Sequence, residues 1–535
     1  MKFSRLQRYA LSVLSGILMV ISFPFSGSLF PLVFLAWVPL LLVEHNVYRE
    51  KYRSGKVFIH AYLTFLIYNV GTTFWIYYSI GGEAGAILAY VLNSLLMTVV
   101  FMLFHWTKKF VAQKEGYIGL MFFWIGFEYI HFHWELSWPW LTIGNTFSVV
   151  PEIVQWYSYT GVLGGSLWII LLNMLIFKLV SNVVFAKESW KVQTPLIYLA
   201  FGLVLIPALL SFWSYAFFTE NSNPVEVVVT QPNIDPYGEK FSANPIDQVN
   251  KIFELATPLI TDSTALILGP ETAMVYPFNE ERYKSNKLFQ YVSGRVADWN
   301  GPDLFLGAST YRLFEDQIRV SMKPLQQEGY IEHYNTSVLI SMNKPPQFVH
   351  KSKLVLGVEK VPFSYWIPAL EELSINNGGT SGTLGIESEP LVLRSAGFNF
   401  APVVCYESVY GGFIAAQCRK GAEAIFIITN DGWWGDTPGH RQHASFARLR
   451  AVETNKYVVR SANTGISSVI NQRGDVLTQT EYWKEDAFRE KINLNDEITF
   501  YVQYGDVIGR SFAFVFVLLA ALTLVKYLRT FGTKT

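Results

Sequence analysis

Residues 401–429 read APVVCYESVYGGFIAAQCRKGAEAIFIIT. The stretch opens on a short apolar run at 401–405 and closes on another at 424–429. Both are rich in β-branched residues, as buried strands are. Between them Val409–Lys420 has helical spacing. Strand, helix and strand in immediate succession form the unit from which layered α/β domains are built. Working outward, similar runs recur at 225–230 (VEVVVT), 265–268 (ALIL), 304–307 (LFLG), 336–341 (TSVLIS), 457–460 (YVVR) and 467–471 (SSVIN). Helical patterns cover Asp247–Ile260, Glu280–Val296 and His440–Thr454. Ile375–Gly385 (INNGGTSGTLG) reads as a flexible loop. Residues 220–505 are therefore expected to fold as an α/β domain.

The rest of the chain is different. Of 535 residues 51% are apolar and 16% charged, against about 25% charged in ordinary soluble proteins. Only 21 Asp, Glu, Lys and Arg fall in residues 1–219, and the other 63 fall in 220–535. A single soluble globule would not be so divided. Seven apolar stretches precede residue 220: Tyr9–Phe25, Leu29–Val43, Val57–Ile80, Ala84–Trp106, Tyr117–Phe132, Val162–Val180 and Pro195–Phe218. An eighth is Ser511–Val525. Crossing a bilayer core takes about 20 helical residues, so the second and eighth are short by that measure. Lys2, Arg5 and Arg8 precede the first, as in a signal peptide. No small-residue cleavage site is obvious and further spans follow at once, so it reads as a retained helix. The organisation expected is a helical multi-pass membrane domain (1–219), a catalytic α/β domain (220–505), and an eighth transmembrane helix with a short tail (506–535).

Lys and Arg alternate between loops. They occur at Lys2–Arg8, Arg49–Lys56, Lys108–Lys114, Lys178–Lys191 and Lys526–Lys534, while the loops near 24–30, 81–84 and 133–160 have none. By the positive-inside rule both termini are cytoplasmic and residues 220–505 lie outside the cytoplasm.

Lys and Arg balance Asp and Glu at 42 each, so no basic field exists to hold nucleic acid. Two cysteines rule out a disulfide scaffold and a thiolate metal cage. His131, His133 and Glu135 alternate, but no fourth ligand accompanies them, and no metal or cofactor is expected. WELSWPW (Trp134–Trp140) packs three Trp beside Pro139. It suits an aromatic belt at the bilayer interface or the lip of a lipid-facing cavity. A transporter would carry ionisable residues inside its spans. Such residues are few here, Glu128 being the nearest.

Three polar residues stand at strand ends. Glu271 follows ALILGP, Lys351 lies in FVHKSKLV, and Cys405 closes APVVC. Singly each can be structural, and a Cys ending an apolar strand is often inert core. Together a thiol, an acid and an amine supply a nucleophile, a general base and an oxyanion stabiliser.

Several motifs carry a family resemblance. GPETA (269–273), HKSKLVLGVE (350–359), VVCYES (403–408) and TNDGWWG (429–435) resemble the nitrilase superfamily in order and strand context. Such a domain set among membrane spans resembles the apolipoprotein N-acyltransferase family. Further matches are WPWLTIGNTFS (138–148), VVTQPNI (228–234), HYNTSV (333–338), ARLRAVET (447–454), RSANTGIS (460–467) and TFYVQYGD (499–506). The resemblance implies an α-β-β-α sandwich and ping-pong acyl transfer. It makes Cys405 the nucleophile that carries the chain as a thioester, Glu271 the base, and Lys351 the oxyanion stabiliser. Its implied donor is a phospholipid, phosphatidylethanolamine, and its acceptor the α-amine of a diacylglyceryl-cysteine on an apolipoprotein. Glu359, Glu407, Tyr406, Asn335 and Asn430 are supporting candidates. Glu407 is placed on the same side of a strand as Cys405, with a simple ion pair as the bland alternative. Phe241, Trp138, Trp140, Trp433 and Trp434 are substrate-contact candidates.

Two departures bear on the pocket. LVLGVE lacks the Pro of the family's usual turn before this glutamate, and Phe241 stands where relatives often carry Trp. Cys418 is read as a small core residue. VPFSYWIPAL (361–370) suits either core packing or a loop dipping into lipid. A membrane-tethered amidase with the same three residues is the alternative enzyme.

Overall fold

A computed structural model describes residues 2–79, 83–220, 222–326, 328–374 and 382–532. Most of the glycine-rich stretch read as a flexible loop, and the last three residues, lie outside the described residues. The chain divides into two compact units. One comprises Met1–Phe74, Ala86–Phe217 and Asp506–Thr535, the other Trp75–Gly85 and Phe218–Gly505.

The first unit is helical: α1 (Arg5–Ser22), α2 (Val38–Arg49), α3 (Gly55–Thr73), α4 (Glu83–Phe110), α5 (Gln113–His131), the single turn α6 (Tyr157–Thr160), α7 (Val162–Val184), α8 (Thr194–Ala216) and a C-terminal helix, Val507–Gly532. Among the described residues six helical stretches are long and apolar enough to cross a membrane: Phe30–Arg49, Gly55–Tyr78, Glu83–Phe110, Val162–Val184, Trp190–Ala216 and Val507–Thr530. The two segments that look short in sequence are among them, because their helices run on past the apolar core of each run. Two of the eight expected spans, α1 and α5, fall below that measure. Arg5, Gln7 and Arg8 dilute the first, and Lys114, Glu115 and Glu128 the second.

Trp37, Phe65, Phe101 and Trp124 pack as one aromatic cluster inside this unit, with Trp37 edge-on to Trp124 at 4.3 Å. Gly126 lets α5 meet the C-terminal helix closely. A Cβ there would lie 3.1 Å from the Ala513 Cα, the small-residue contact that membrane helices use. A charge cluster also lies within it: Glu44 accepts from Lys108 Nζ at 2.6 Å and pairs with His105 Nδ1 at 2.7 Å.

Among the described residues the second unit has fourteen strands: β1 (Pro224–Gln231), β2 (Thr264–Leu268), β3 (Met274–Asn279), β4 (Asp303–Phe314), β5 (Lys323–Pro324), β6 (Tyr330–Ile340), β7 (Gln347–His350), β8 (Leu393–Ser395), β9 (Phe398–Val404), β10 (Ala424–Thr429), β11 (Val458–Ala462), β12 (Ser468–Ile470), β13 (Val476–Gln479) and β14 (Asp486–Asn493). One sheet runs β14-β1-β2-β4-β6-β5, with β3 on β4 and β7 on β6, and the other runs β13-β12-β11-β10-β9-β8.

Successive side chains of a strand face opposite ways, and here both faces are covered. Val227, Val229, Leu266 and Leu268 meet Phe400, Val404, Phe426 and Ile428 between the sheets. Val228, Ile267 and Leu304 face the helices α9 (Pro245–Ala256) and α10 (Lys287–Asp298). Val403, Ile425 and Ile427 face α11 (Gly411–Arg419) and α12 (Pro438–Thr454). This is the expected α-β-β-α sandwich, and double coverage explains why its strands read as unbroken apolar runs. Cys418 is fully buried on the α11 side and, like Cys405, forms no disulfide.

The helix expected from Glu280 starts only at Lys287, where the Asn286 side chain accepts from Phe289 N. Glu280 goes to the sheet instead. Its carboxylate takes Thr310 Oγ1 at 2.6 Å, Arg312 Nε at 2.6 Å and His350 Nε2 at 2.8 Å. Strand β14 has no apolar signature because it is a half-exposed edge, with Arg489 and Lys491 among its residues.

Candidate active site

Three loops at strand ends build the site. Beyond β2, Gly269 N donates to Phe305 O and Gly307 N to Pro270 O, at 2.9 and 3.0 Å. The loop thus lies along β4, so closely that a Cβ on Gly307 would stand 2.3 Å from Thr272 N and 2.7 Å from Glu271 Cα. Glycine at 307 is what admits Glu271 to its place.

Lys351 follows β7 directly, and its N–H donates to Asn335 O at 2.8 Å. Lys351 Nζ donates to Glu359 Oε1 at 2.9 Å and to Glu271 Oε1 at 3.3 Å. Asn335 Nδ2, from β6, donates to the same two oxygens at 2.8 Å each. Two carboxylates thus share one ammonium and one amide. Burial works against the Lys351 charge, but Glu359 and Glu271 outweigh it and hold the ammonium well above its ordinary range. In place of the missing proline, Gly357 turns the loop at φ +85°. Glu359 Oε2 braces it by accepting Val355 N at 2.8 Å.

Cys405 is not the last strand residue. β9 ends at Val404 and Cys405 takes φ +50°, a left-handed conformation costly for a side chain other than glycine and one that clusters at reactive sites. Burial pushes its thiol above the ordinary value, Glu271's charge adds to this, and Lys351 and the Thr429 hydroxyl oppose it. That shift favours the thiol over the thiolate, so attack calls for a base.

Behind this turn lies a brace that sequence reasoning missed. Cys405 O accepts from Ser408 Oγ at 2.8 Å and lies 3.2 Å from His443 Nε2. His443 Nδ1 is 2.9 Å from Asp431 Oδ1, which also takes Thr429 Oγ1 at 2.7 Å, and Arg460 pairs with the other Asp431 oxygen. Burial alone would raise the Asp431 carboxyl, but Arg460 and His443 hold it far below its usual range. Cys405, Asp431 and His443 offer possible ligand atoms within 4.8 Å of one another. A metal does not fit them, since Asp431 is already shared between a guanidinium and an imidazole and Arg460 would repel the ion.

Glu407 occupies the same turn, in a 3-10 helix rather than the expected strand. Its carboxylate accepts from Val404 N at 2.8 Å, Ser352 N at 2.6 Å and Lys353 N at 3.3 Å. It therefore ties the Cys405 turn to the Lys351 loop. Burial pushes it up to about 7 against those N–H donors and Lys351. Tyr406 is buried edge-on to Tyr410, 5.3 Å away, and does not line the pocket.

A cavity of about 110 Å³ is lined by Lys240, Phe241, Glu271, Asn335, Glu359 and Trp433 among others. Trp433 lies nearly parallel to Phe241 at 6.3 Å. Asn430, with its amide oriented to suit its neighbours, accepts from Lys240 Nζ at 3.1 Å and Trp433 Nε1 at 3.2 Å. Lys240 is a second buried ammonium that the sequence did not single out. Its Nζ donates to Glu271 O at 3.1 Å, and burial brings it down to about 8 against the pull of Glu271 and Cys405. The one cue was its place in a loop after a strand, beside Phe241.

Trp434 packs against Trp75 at 4.7 Å and faces His443, outside the cavity lining. Trp138 and Trp140 belong to the helical unit, stacked on each other at 5.8 Å, and Trp140 is buried there. Core packing does not describe VPFSYWIPAL: Tyr365 is 67% and Trp366 74% exposed.

A buried thiol on a strained turn, two buried carboxylates and a cation, borne on a four-layered sandwich, define a carbon-nitrogen hydrolase domain, and residues 231–499 match that family. Residues 15–175 match the apolipoprotein N-acyltransferase N-terminal domain. The apolipoprotein N-acyltransferase of Chlorobaculum tepidum is 30% identical over 513 residues, 94% of this chain and 93% of that one. Its counterpart in Geobacter metallireducens is 26% identical over 512 residues, 93% and 92%. A solved amidase from Nesterenkonia sp. AN1 aligns over 55% of this chain and 99% of its own at 15% identity, with a TM-score of 0.38. The chain belongs to the apolipoprotein N-acyltransferase family. It is a membrane protein and an acyltransferase.

Proposed function

We propose that this chain moves an acyl group from a phospholipid to the α-amine of the N-terminal diacylglyceryl-cysteine of apolipoproteins, with Cys405 as the carrier. The observation that carries the residue assignment is the convergence of Glu271, Glu359, Lys351 and Asn335 on one point whose charges reach the Cys405 thiol.

Glu271 takes the Cys405 proton as the sulfur attacks the ester carbonyl. The C–O bond breaks, and the proton passes to the leaving lysophospholipid alkoxide. The amine then attacks the thioester, Glu271 removes its proton, and that proton returns to the departing thiolate. Lys351 and the Tyr406 backbone N–H stabilise each tetrahedral oxyanion. Glu359 and Asn335 position Lys351 and Glu271, and Glu407 aligns the two loops. Phe241 and Trp433 form an apolar wall for the acyl chain, and the exposed Tyr365 and Trp366 are available for a lipid contact.

Phosphatidylethanolamine is the proposed donor. The Lys and Arg distribution supports cytoplasmic termini in the inner membrane, with residues 220–505 as an extracytoplasmic domain between the membrane segments 1–219 and 506–535.

Mass spectrometry after incubation with labelled phospholipid is expected to find an acyl adduct on Cys405, absent in Cys405→Ala. Adding a diacylated lipopeptide should discharge it and give a heavier lipopeptide. Free fatty acid alone would identify a hydrolase instead.

A further inference from the structure

A cavity of about 800 Å³ in the helical unit contains no residue of the α/β unit. It opens between α2, α5 and α7 at the end of the bundle where α2 finishes and α5 begins. Arg49, Lys114 and Lys178 line it, one from each helix, and no described carboxylate does. All three cations are exposed, and none makes an ion pair with a described carboxylate. Glu44, near in sequence to Arg49, is already engaged by Lys108 and His105. Glu115 shares a turn with Lys114 but is outside the lining.

The walls have the opposite character. Phe177 and Phe185 are buried in them, and the Arg49 guanidinium lies over the Phe185 ring at 5.3 Å. A rim of three cations above an aromatic, aliphatic interior suits a molecule that is anionic at one end and apolar at the other. A basic pocket between membrane helices is a recognised form of lipid headgroup site, and the volume lies in the range of ligand pockets.

We propose that this cavity binds an anionic phospholipid, its phosphate and headgroup charge set against Arg49, Lys114 and Lys178 and its acyl chains against Phe177 and Phe185. In the orientation given above this is a lipid of the cytoplasmic leaflet. The bound lipid joins α2, α5 and α7 at an end where three like charges would otherwise repel one another. The site is independent of the acyl-transfer reading, since it shares no residue with the cavity lined by Glu271 and Glu359.

The test uses full-length protein carrying Cys405→Ala, which keeps the lipid from being consumed at the thiol. Native mass spectrometry in detergent compares retention of phosphatidylglycerol with that of phosphatidylcholine at equal concentration. Anionic lipid should be retained at least about tenfold better. The preference should collapse in the triple variant Arg49→Gln, Lys114→Gln, Lys178→Gln and persist in the charge-preserving Lys114→Arg, Lys178→Arg variant. Equal retention of the two lipids would overturn the proposal, as would a preference untouched by the triple variant. Displacement of the lipid by millimolar inorganic phosphate would assign the cavity to a soluble anion instead. Should the triple variant fail to fold, Met174→Trp, which fills the cavity without changing charge, should also abolish the preference; an unchanged preference in a folded Met174→Trp protein would overturn the proposal.

Discussion

Two buried charge clusters flank Cys405, and they differ in what is left over. In front, Glu271, Glu359, Asn335 and Lys240 line a cavity, and Lys351 is bonded to both carboxylates. Behind, Asp431, Arg460 and His443 are fully buried and bonded to one another and to the turn. Both contain carboxylates and cations in a low-dielectric interior. The front cluster leaves acid and amine facing space where a substrate atom can sit, so its charges act on a reaction. The rear cluster spends its charges on one another, so it holds geometry. A buried ion pair is reactive only where it is incompletely enclosed.

The largest effects should separate these roles. Lys351→Met is expected to lower acyl-adduct formation on Cys405 by about 10³-fold, the scale of losing an oxyanion donor. The melting temperature should fall less than in the rear variants, because the orphaned carboxylates border a cavity that water can enter. Asp431→Asn should do the reverse. It strands Arg460 in a buried site and is expected to cost about 3–5 kcal/mol of stability, read from chemical denaturation in detergent. Equal loss of rate and stability in both variants would erase the distinction.

Glu407→Ala tests the link between the two sides, since one carboxylate holds N–H groups of both loops. Adduct formation should fall by roughly 10²-fold, in line with a misplaced catalytic geometry, with binding of intact phospholipid kept.

The smallest effect concerns Lys240, a cation below pH about 8 and neutral above it. If its charge assists Glu271 and the Cys405 thiol, wild-type adduct formation should lose a few-fold in rate as pH rises through about 8, and Lys240→Met should lack that step. The stability sign follows separately. Its folded value lies below the ordinary lysine value of 10.5, so the unfolded chain binds more protons between them. Wild type should therefore gain stability relative to Lys240→Met across that window. A stability difference that shrinks as pH rises there would refute the assignment.

The sandwich was legible because its strands are covered on both faces and so read as apolar runs, whereas the exposed edge β14 carries no such mark. Cys405, Lys351 and Glu271 were legible because each stands at a strand end inside a recognisable motif. Asp431, His443 and Arg460 lie in or beside readable motifs too, but nothing local shows that they meet under the turn. Glu407 was misread for a related reason: alternation along a strand was continued past Val404, where the backbone turns at Cys405.

By itself the sequence determined the division into an apolar and a charged part, and the strand-helix alternation of the latter. Those follow from composition and local periodicity, which any segment carries within itself. Only the tertiary structure decided that Glu271, Asn335, Lys351 and Glu359 share two carboxylate oxygens, and that Arg49, Lys114 and Lys178 rim one cavity. Hydrogen bonds and ion pairs act over about 3–4 Å, and residues far apart in the chain come within that reach only through packing.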